Sequence, residues 1–270
     1  MNLMEAMPEA FGRTWPALDP DSQVLLGLLL LRSRQIDAIP VTLRDTEKIK
    51  FISGYSCLKK LAQTPLEDYG RFFKHSCTDY SVDLPIVSAD ANIGALLKVY
   101  SETEFGFVWA KYDANPEIGA FICLRDLLSL YDQSIISTHL RAKDIASRDV
   151  FSVEGESKLK HVIEEMINRR RRRVFVSHTS RVVSDRQIID YLFSVEKLER
   201  VFAEPTTLLE GTLGDVESVE PIKIDNEIEL KEAAPMVIGE PGLAVCDCGI
   251  VTPWDMIMKP WERNELRIAE

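Results

Sequence analysis

The chain has 270 residues, 43 acidic and 32 basic, for a net charge of −11. That balance argues against a general coat for duplex nucleic acid, which should be basic. Apolar residues at 46% and charged residues at 28% exclude disorder over most of the length.

At roughly 150 residues per domain, the length suggests about two domains. The longest apolar run, Val24 to Leu31, has eight residues, against about 20 for a membrane span. The opening MNLMEAMPEAFGRTW lacks the basic start, apolar stretch and cleavage site of a signal peptide. An intracellular, cytoplasmic protein without membrane contact is therefore expected. The five cysteines are an odd number and suggest no disulfide framework. Cys246 and Cys248 form a C-D-C pair and read as small residues of a buried strand. A zinc site would need further ligands, and the four histidines are scattered; no metal is expected.

In chain order, Gln23 to Ser33 reads as a helix, AIPVTL and KFIS as strands, and CLKKLA as a helix. PIVSADANIGALLKVYS then gives strand, break and helix. FGFVWAKYD and GAFIC give a strand pair, and LRDLLSLY a closing helix. Val150 to Val153 is extended and EGES breaks the chain. Leu159, Val162, Ile163, Met166 and Ile167 then mark one face of a helix. VFVSH and RVVS form the next strand pair, closed by a helix from Gln187 to Phe193. The last stretch repeats the order: Ile222 to Ile224, DNEI, a helix, LAVCD and GIVT, and a helix from Trp254 to Met258.

The similarity of the last two stretches is direct. DIASRDVFSVEGESKLKHVIEEM and DVESVEPIKIDNEIELKEAAPMV align without a gap at an offset of 71 residues. Asp144 meets Asp215, Ser147 meets Ser218, Leu159 meets Leu230 and Lys160 meets Lys231. Each unit reads β-α-β-β-α. The closing helices start at Ser53, Cys123, Ser184 and Thr252, at spacings of 70, 61 and 68. Four repeats, about 1–63, 64–134, 135–203 and 204–270, therefore fill an α+β chain.

Four such units, the last ending in GIVTPWDMI, resemble the CBS domain, whose pattern is G-h-h-T/S-x-x-D with h apolar. Repeats three and four carry the resemblance most clearly. Repeat two keeps AFICLRDLL, and repeat one has AIPV and FISGYSCL but little of the opening strand. The resemblance implies pairing into two Bateman modules, 1–134 (degenerate) and 135–270, a layout similar to the γ subunit of AMP-activated protein kinase. It implies an adenine nucleotide (AMP, ADP or ATP) in the cleft of repeats three and four.

A carboxylate at a helix start can accept hydrogen bonds from both ribose hydroxyls. The family's carboxylate falls on Asp255 in repeat four and Asp126 in repeat two, with Ser56 and Gln187 in the others. A hydroxyl three residues earlier can bond phosphate, helped by helix-start amides. Thr252, Ser184 and Ser53 supply it, whereas repeat two has Cys123. The run Arg169 to Arg173 brings guanidinium groups suited to phosphate, and the resemblance points to Arg172 and Arg173. Adenine should meet Val219, Pro221 and Ile222 by the same analogy. Repeat three has arginines without a carboxylate, and repeat four has Thr252 and Asp255 without an arginine, as a single composite site would leave them. The first module, with Asp126 alone, should bind weakly or not at all.

The implied function is a ligand sensor, monomeric or homodimeric, acting on a separate regulated protein. No phosphate loop, H-E-x-x-H or G-x-S-x-G occurs, so no enzymatic activity is expected. The alternatives are a scaffold with vestigial sites or a binder of S-adenosylmethionine or of nucleic acid through the arginines; Met256, Ile257, Met258 and Trp261 could serve a scaffold's partner, but packing of the closing helix against the sheet is the preferred reading.

Overall fold

Short β-branched runs flanked by amphipathic helices build the same small sheet in repeats two, three and four. The computed structural model describes residues 1–34, 36–42, 49–103, 106–112, 115–239 and 241–269, apart from the side chains of 115–118. Leu43, Phe105 and Asp113, at the ends of predicted strands, lie outside the described residues. The fold is α+β. Repeat two has strand Ile86–Ser88, helix Ile93–Glu102, strands Phe107–Tyr112 and Asn115–Cys123, and helix Leu124–Asp132. Repeat three has Ser152–Val153, helix Leu159–Asn168, strands Arg173–Val176 and Val182–Ser184, and helix Asp185–Leu192. Repeat four has Ile222–Lys223, helix Leu230–Ile238, strands Ala244–Cys246 and Gly249–Val251, and helix Pro253–Glu262. In all three, the opening strand runs parallel to the next strand and the last two form an antiparallel hairpin.

Repeat one departs from this plan where the sequence does. Helix Val24–Arg34 leads to strands Ala38–Thr42 and Ile49–Ser53 and helix Gly54–Gln63. In place of an opening strand, Leu18 alone forms a parallel bridge to Val41. The other edge takes Val82–Asp83, antiparallel to Ile49–Ser53.

The chain divides into two compact units, one of residues 1–15, 84–150 and 221–270, the other of 16–83 and 151–220. The first holds repeats two and four. Its core packs helix Leu124–Asp132 on helices Leu230–Ile238 and Pro253–Glu262, and the Tyr131 hydroxyl donates to the Met256 carbonyl at 2.7 Å. The second holds repeats one and three, with helix Gly54–Gln63 against Leu159–Asn168 and Asp185–Leu192. Each unit thus takes one repeat from each of the consecutive modules 1–134 and 135–270; the consecutive pairing remains an expectation from the resemblance.

The chain changes unit after Trp15, Asp83, Val150 and Glu220. The connecting segments belong to the core of the preceding repeat. Tyr69, Phe72 and Cys77 are buried with repeat one, Ile136 and Leu140 with repeat two, and Leu208 and Leu213 with repeat three. Among the described residues, no helix is long and apolar enough to cross a membrane.

Candidate functional site

The four closing helices begin with one device. Ser53, Cys123, Ser184 and Thr252 are N-caps, and the residue three positions on bonds back to the cap's backbone N–H. In repeat one this is Ser56 Oγ to Ser53 N at 2.9 Å, in repeat two Asp126 Oδ2 to Cys123 N at 2.8 Å, and in repeat three Gln187 Oε1 to Ser184 N at 2.7 Å. In repeat four, Asp255 Oδ2 accepts from Thr252 N at 2.9 Å and from the Thr252 hydroxyl at 2.6 Å. The positions read from the sequence as ligand groups are therefore also the groups that start these helices.

Asp255 is 5% exposed. Its other oxygen, Oδ1, accepts from the Ser147 hydroxyl at 2.8 Å and meets Lys259 Nζ at 2.8 Å. A carboxylate offers about four lone-pair positions, and all are used. Lys259 also donates to the Ile145 carbonyl at 2.6 Å and to Ser147 Oγ at 2.9 Å. Sequence reasoning missed both partners, although Lys259 stands four residues after Asp255, a spacing that places it on the same helix face.

Asp126 is held differently. While Oδ2 caps the helix, Oδ1 accepts from Arg13 Nη1 at 3.0 Å. The Arg13 guanidinium lies 5.2 Å over the Trp15 ring, and that ring meets Phe121 edge-on at 5.1 Å. Upstream, Leu3 and Ala6 are fully buried in the same core, so the segment carrying Arg13 is anchored on repeat two. The carboxylate expected to bind weakly is already occupied by the chain's own cation.

The arginine run divides among separate partners. Arg169 Nε bonds Glu165 Oε2 at 3.0 Å and its guanidinium covers Phe151 at 4.9 Å. Arg172 pairs with the buried Asp185, with Nε and Nη2 each 3.0 Å from Oδ2, and lies 4.0 Å from Asp37. Arg173 opens strand Arg173–Val176 opposite Ser184. Ser184 is buried, and its hydroxyl donates to Gln187 Oε1. Val219 bridges Val182 in the same unit as these residues. Pro221 is buried in the other unit, with Thr252, Asp255 and Asp126. Ile222, also there, pairs with Ala244 and is 44% exposed, an unusual position for an apolar strand residue.

At the last helix the preferred packing reading holds and the alternative partner surface does not. Met256, Ile257 and Met258 are fully buried, and Trp261 packs against the same core; they hold the closing helix in place. Among the described residues, no group of three or more His, Cys, Asp or Glu side chains is placed to hold a metal ion.

Residues 142–194 match the family model of the CBS domain. The protein carries a CBS domain. The matched span is repeat three, including Arg172, Arg173 and Ser184. No curated protein matches the chain. The fold is that of protein MJ1225 from Methanocaldococcus jannaschii, described as a proposed archaeal homologue of γ-AMPK. The TM-score is 0.81 at 15% identity, covering 97% of this chain and 100% of that one. An uncharacterized conserved protein from Pyrococcus horikoshii matches with a TM-score of 0.55 at 12% identity, over 95% and 98% of the two chains. CBS domain protein PAE2072 from Pyrobaculum aerophilum, solved with AMP, gives 0.37 at 13% identity, over 45% and 88%. The fold shared with MJ1225 runs through all four repeats of the present chain.

Proposed function

We propose that this CBS-domain protein is a non-catalytic adenine-nucleotide sensor acting on a separate regulated chain. The observation that carries the reading is Thr252 with Asp255. Of the four equivalent helix starts, only this one combines a cap hydroxyl with a carboxylate. In the proposal Asp255 accepts from the ribose hydroxyls, Thr252 faces phosphate, and Pro221 and Ile222 meet adenine.

Because every lone-pair position on Asp255 is filled, ribose must displace a resident donor. The Thr252 hydroxyl is the one that can leave by rotating about a single bond, and it then points its proton at phosphate while the backbone N–H keeps the cap. The filled carboxylates favour the scaffold as second reading.

Calorimetry separates them. AMP, ADP or ATP should bind the native chain, and Thr252→Val should weaken that binding about tenfold or more, as loss of a hydrogen bond to a charged group does. Binding of S-adenosylmethionine alone would redirect the ligand assignment. No binding of any of the four by folded protein would leave the scaffold reading.

A further inference from the structure

The hairpin of repeat four carries a feature unrelated to nucleotide binding. Cys246 ends strand Ala244–Cys246 and pairs with Gly249, so Asp247 and Cys248 form a two-residue turn. Only Cys246 is therefore a strand residue; Cys248 sits at the turn. Gly249 takes φ of 143°, a conformation open to glycine, and this tight reversal sets the two side chains on the same side. Their Sγ atoms lie 3.0 Å apart, about 1 Å beyond the disulfide length of about 2.05 Å.

The pair is asymmetric. Cys246 is 7% exposed, and burial pushes its thiol up to about 11. Cys248 is half-buried and its thiol donates to Asn226 Oδ1 at 3.3 Å. The other thiols differ in setting. Cys57 and Cys77 are buried, with thiols pushed up to about 12 and about 11, and Cys123 caps a helix in repeat two.

We propose that Cys246 and Cys248 form a redox-active dithiol that closes to an intrachain disulfide, with a small-molecule disulfide of the glutathione class as oxidant. The half-buried Cys248, as thiolate, attacks one sulfur of the oxidant. The S–S bond of the oxidant breaks, one thiolate leaves, and a mixed disulfide remains on Cys248. Cys246 then gives up its proton and attacks Cys248 Sγ, expelling the second small thiolate. The protein loses two protons and two electrons, and the oxidant is reduced to two thiols. Burial slows deprotonation of Cys246, but its position beside the target sulfur offsets this, because a neighbouring nucleophile acts at high effective concentration. The proposal is independent of the nucleotide reading.

The test treats the native full chain with oxidised glutathione, quenches with acid, then denatures and alkylates. Alkylatable thiols should fall from five to three. The peptide holding both Cys246 and Cys248 should be two hydrogens lighter and recover its mass on reduction. Cys246→Ser and Cys248→Ser should each abolish the protein disulfide, leaving at most one glutathione adduct at the remaining cysteine. Five alkylatable thiols after excess oxidant would overturn the proposal. So would separate adducts on both cysteines, or a disulfide joining two chains. Circular dichroism confirms that treated and variant proteins remain folded.

Discussion

Asp255→Ala is expected to lower stability by about 2–4 kcal/mol and to abolish the nucleotide binding proposed for this site. The stability loss follows from what the carboxylate joins. It caps helix Pro253–Glu262 through Thr252, and it neutralises Lys259 beside Ser147. Alanine removes the cap acceptor, a change costing about 1 kcal/mol. It also leaves a mostly buried ammonium with only the Ile145 carbonyl and Ser147 hydroxyl as partners. Asp255→Asn should lose less, because its carbonyl can still cap Thr252 while Ser147 and Lys259 lose their acceptor. Urea unfolding followed by circular dichroism reads the difference. A midpoint unchanged in Asp255→Ala would show that the carboxylate is not the joint that its contacts describe.

Gly249→Ala is expected to destabilise the unit of repeats two and four by about 3 kcal/mol or more. A Cβ there would lie 2.3 Å from the Ser147 carbonyl oxygen and 2.8 Å from its carbon. Both are backbone atoms, and they are tied to the hairpin by Ser147 N to the Ile250 carbonyl at 2.8 Å and Ile250 N to the Ser147 carbonyl at 3.0 Å. Neither side can swing away without breaking that bridge. The positive φ adds backbone strain of its own. Gly239→Ala is the control, since a Cβ there meets nothing within 4 Å and φ is −71°. It should stay within about 0.5 kcal/mol of the parent. Thermal unfolding of the two variants side by side decides the point, and equal melting temperatures would contradict it.

The order of elements was legible because each repeat carries its own local signals. Ser53, Ser184 and Thr252 are favoured cap residues, and β-branched runs precede them. Helix Asp185–Leu192 begins two residues before the predicted Gln187 because Ser184 caps it directly. The last helix runs to Glu262, past the predicted Met258, with Pro260 within it. The connecting helices Tyr69–Phe72 and Val195–Ala203 escaped, the first being a single turn and the second a weakly buried surface helix.

Which helices face one another was not legible. An apolar face on Leu124–Asp132 says that something covers it, and periodicity does not say that the cover comes from repeat four. The same limit hid the partners of the candidate site residues. Arg13 and Asp126 are 113 residues apart, and no local pattern joins them. The Met256-Ile257-Met258 triplet read as packing for the closing helix, but only the structure shows that three consecutive buried positions leave that helix covered on most sides.

The proposed function requires that the chain bind an adenine nucleotide, and native mass spectrometry of the full chain with added AMP reads this. An adduct of one AMP per chain is expected, lost in Asp255→Asn and retained in Asp126→Asn, whose carboxylate Arg13 already occupies. Folded protein that carries no AMP, ADP or ATP at any concentration tried, or an adduct lost in Asp126→Asn and kept in Asp255→Asn, would contradict it.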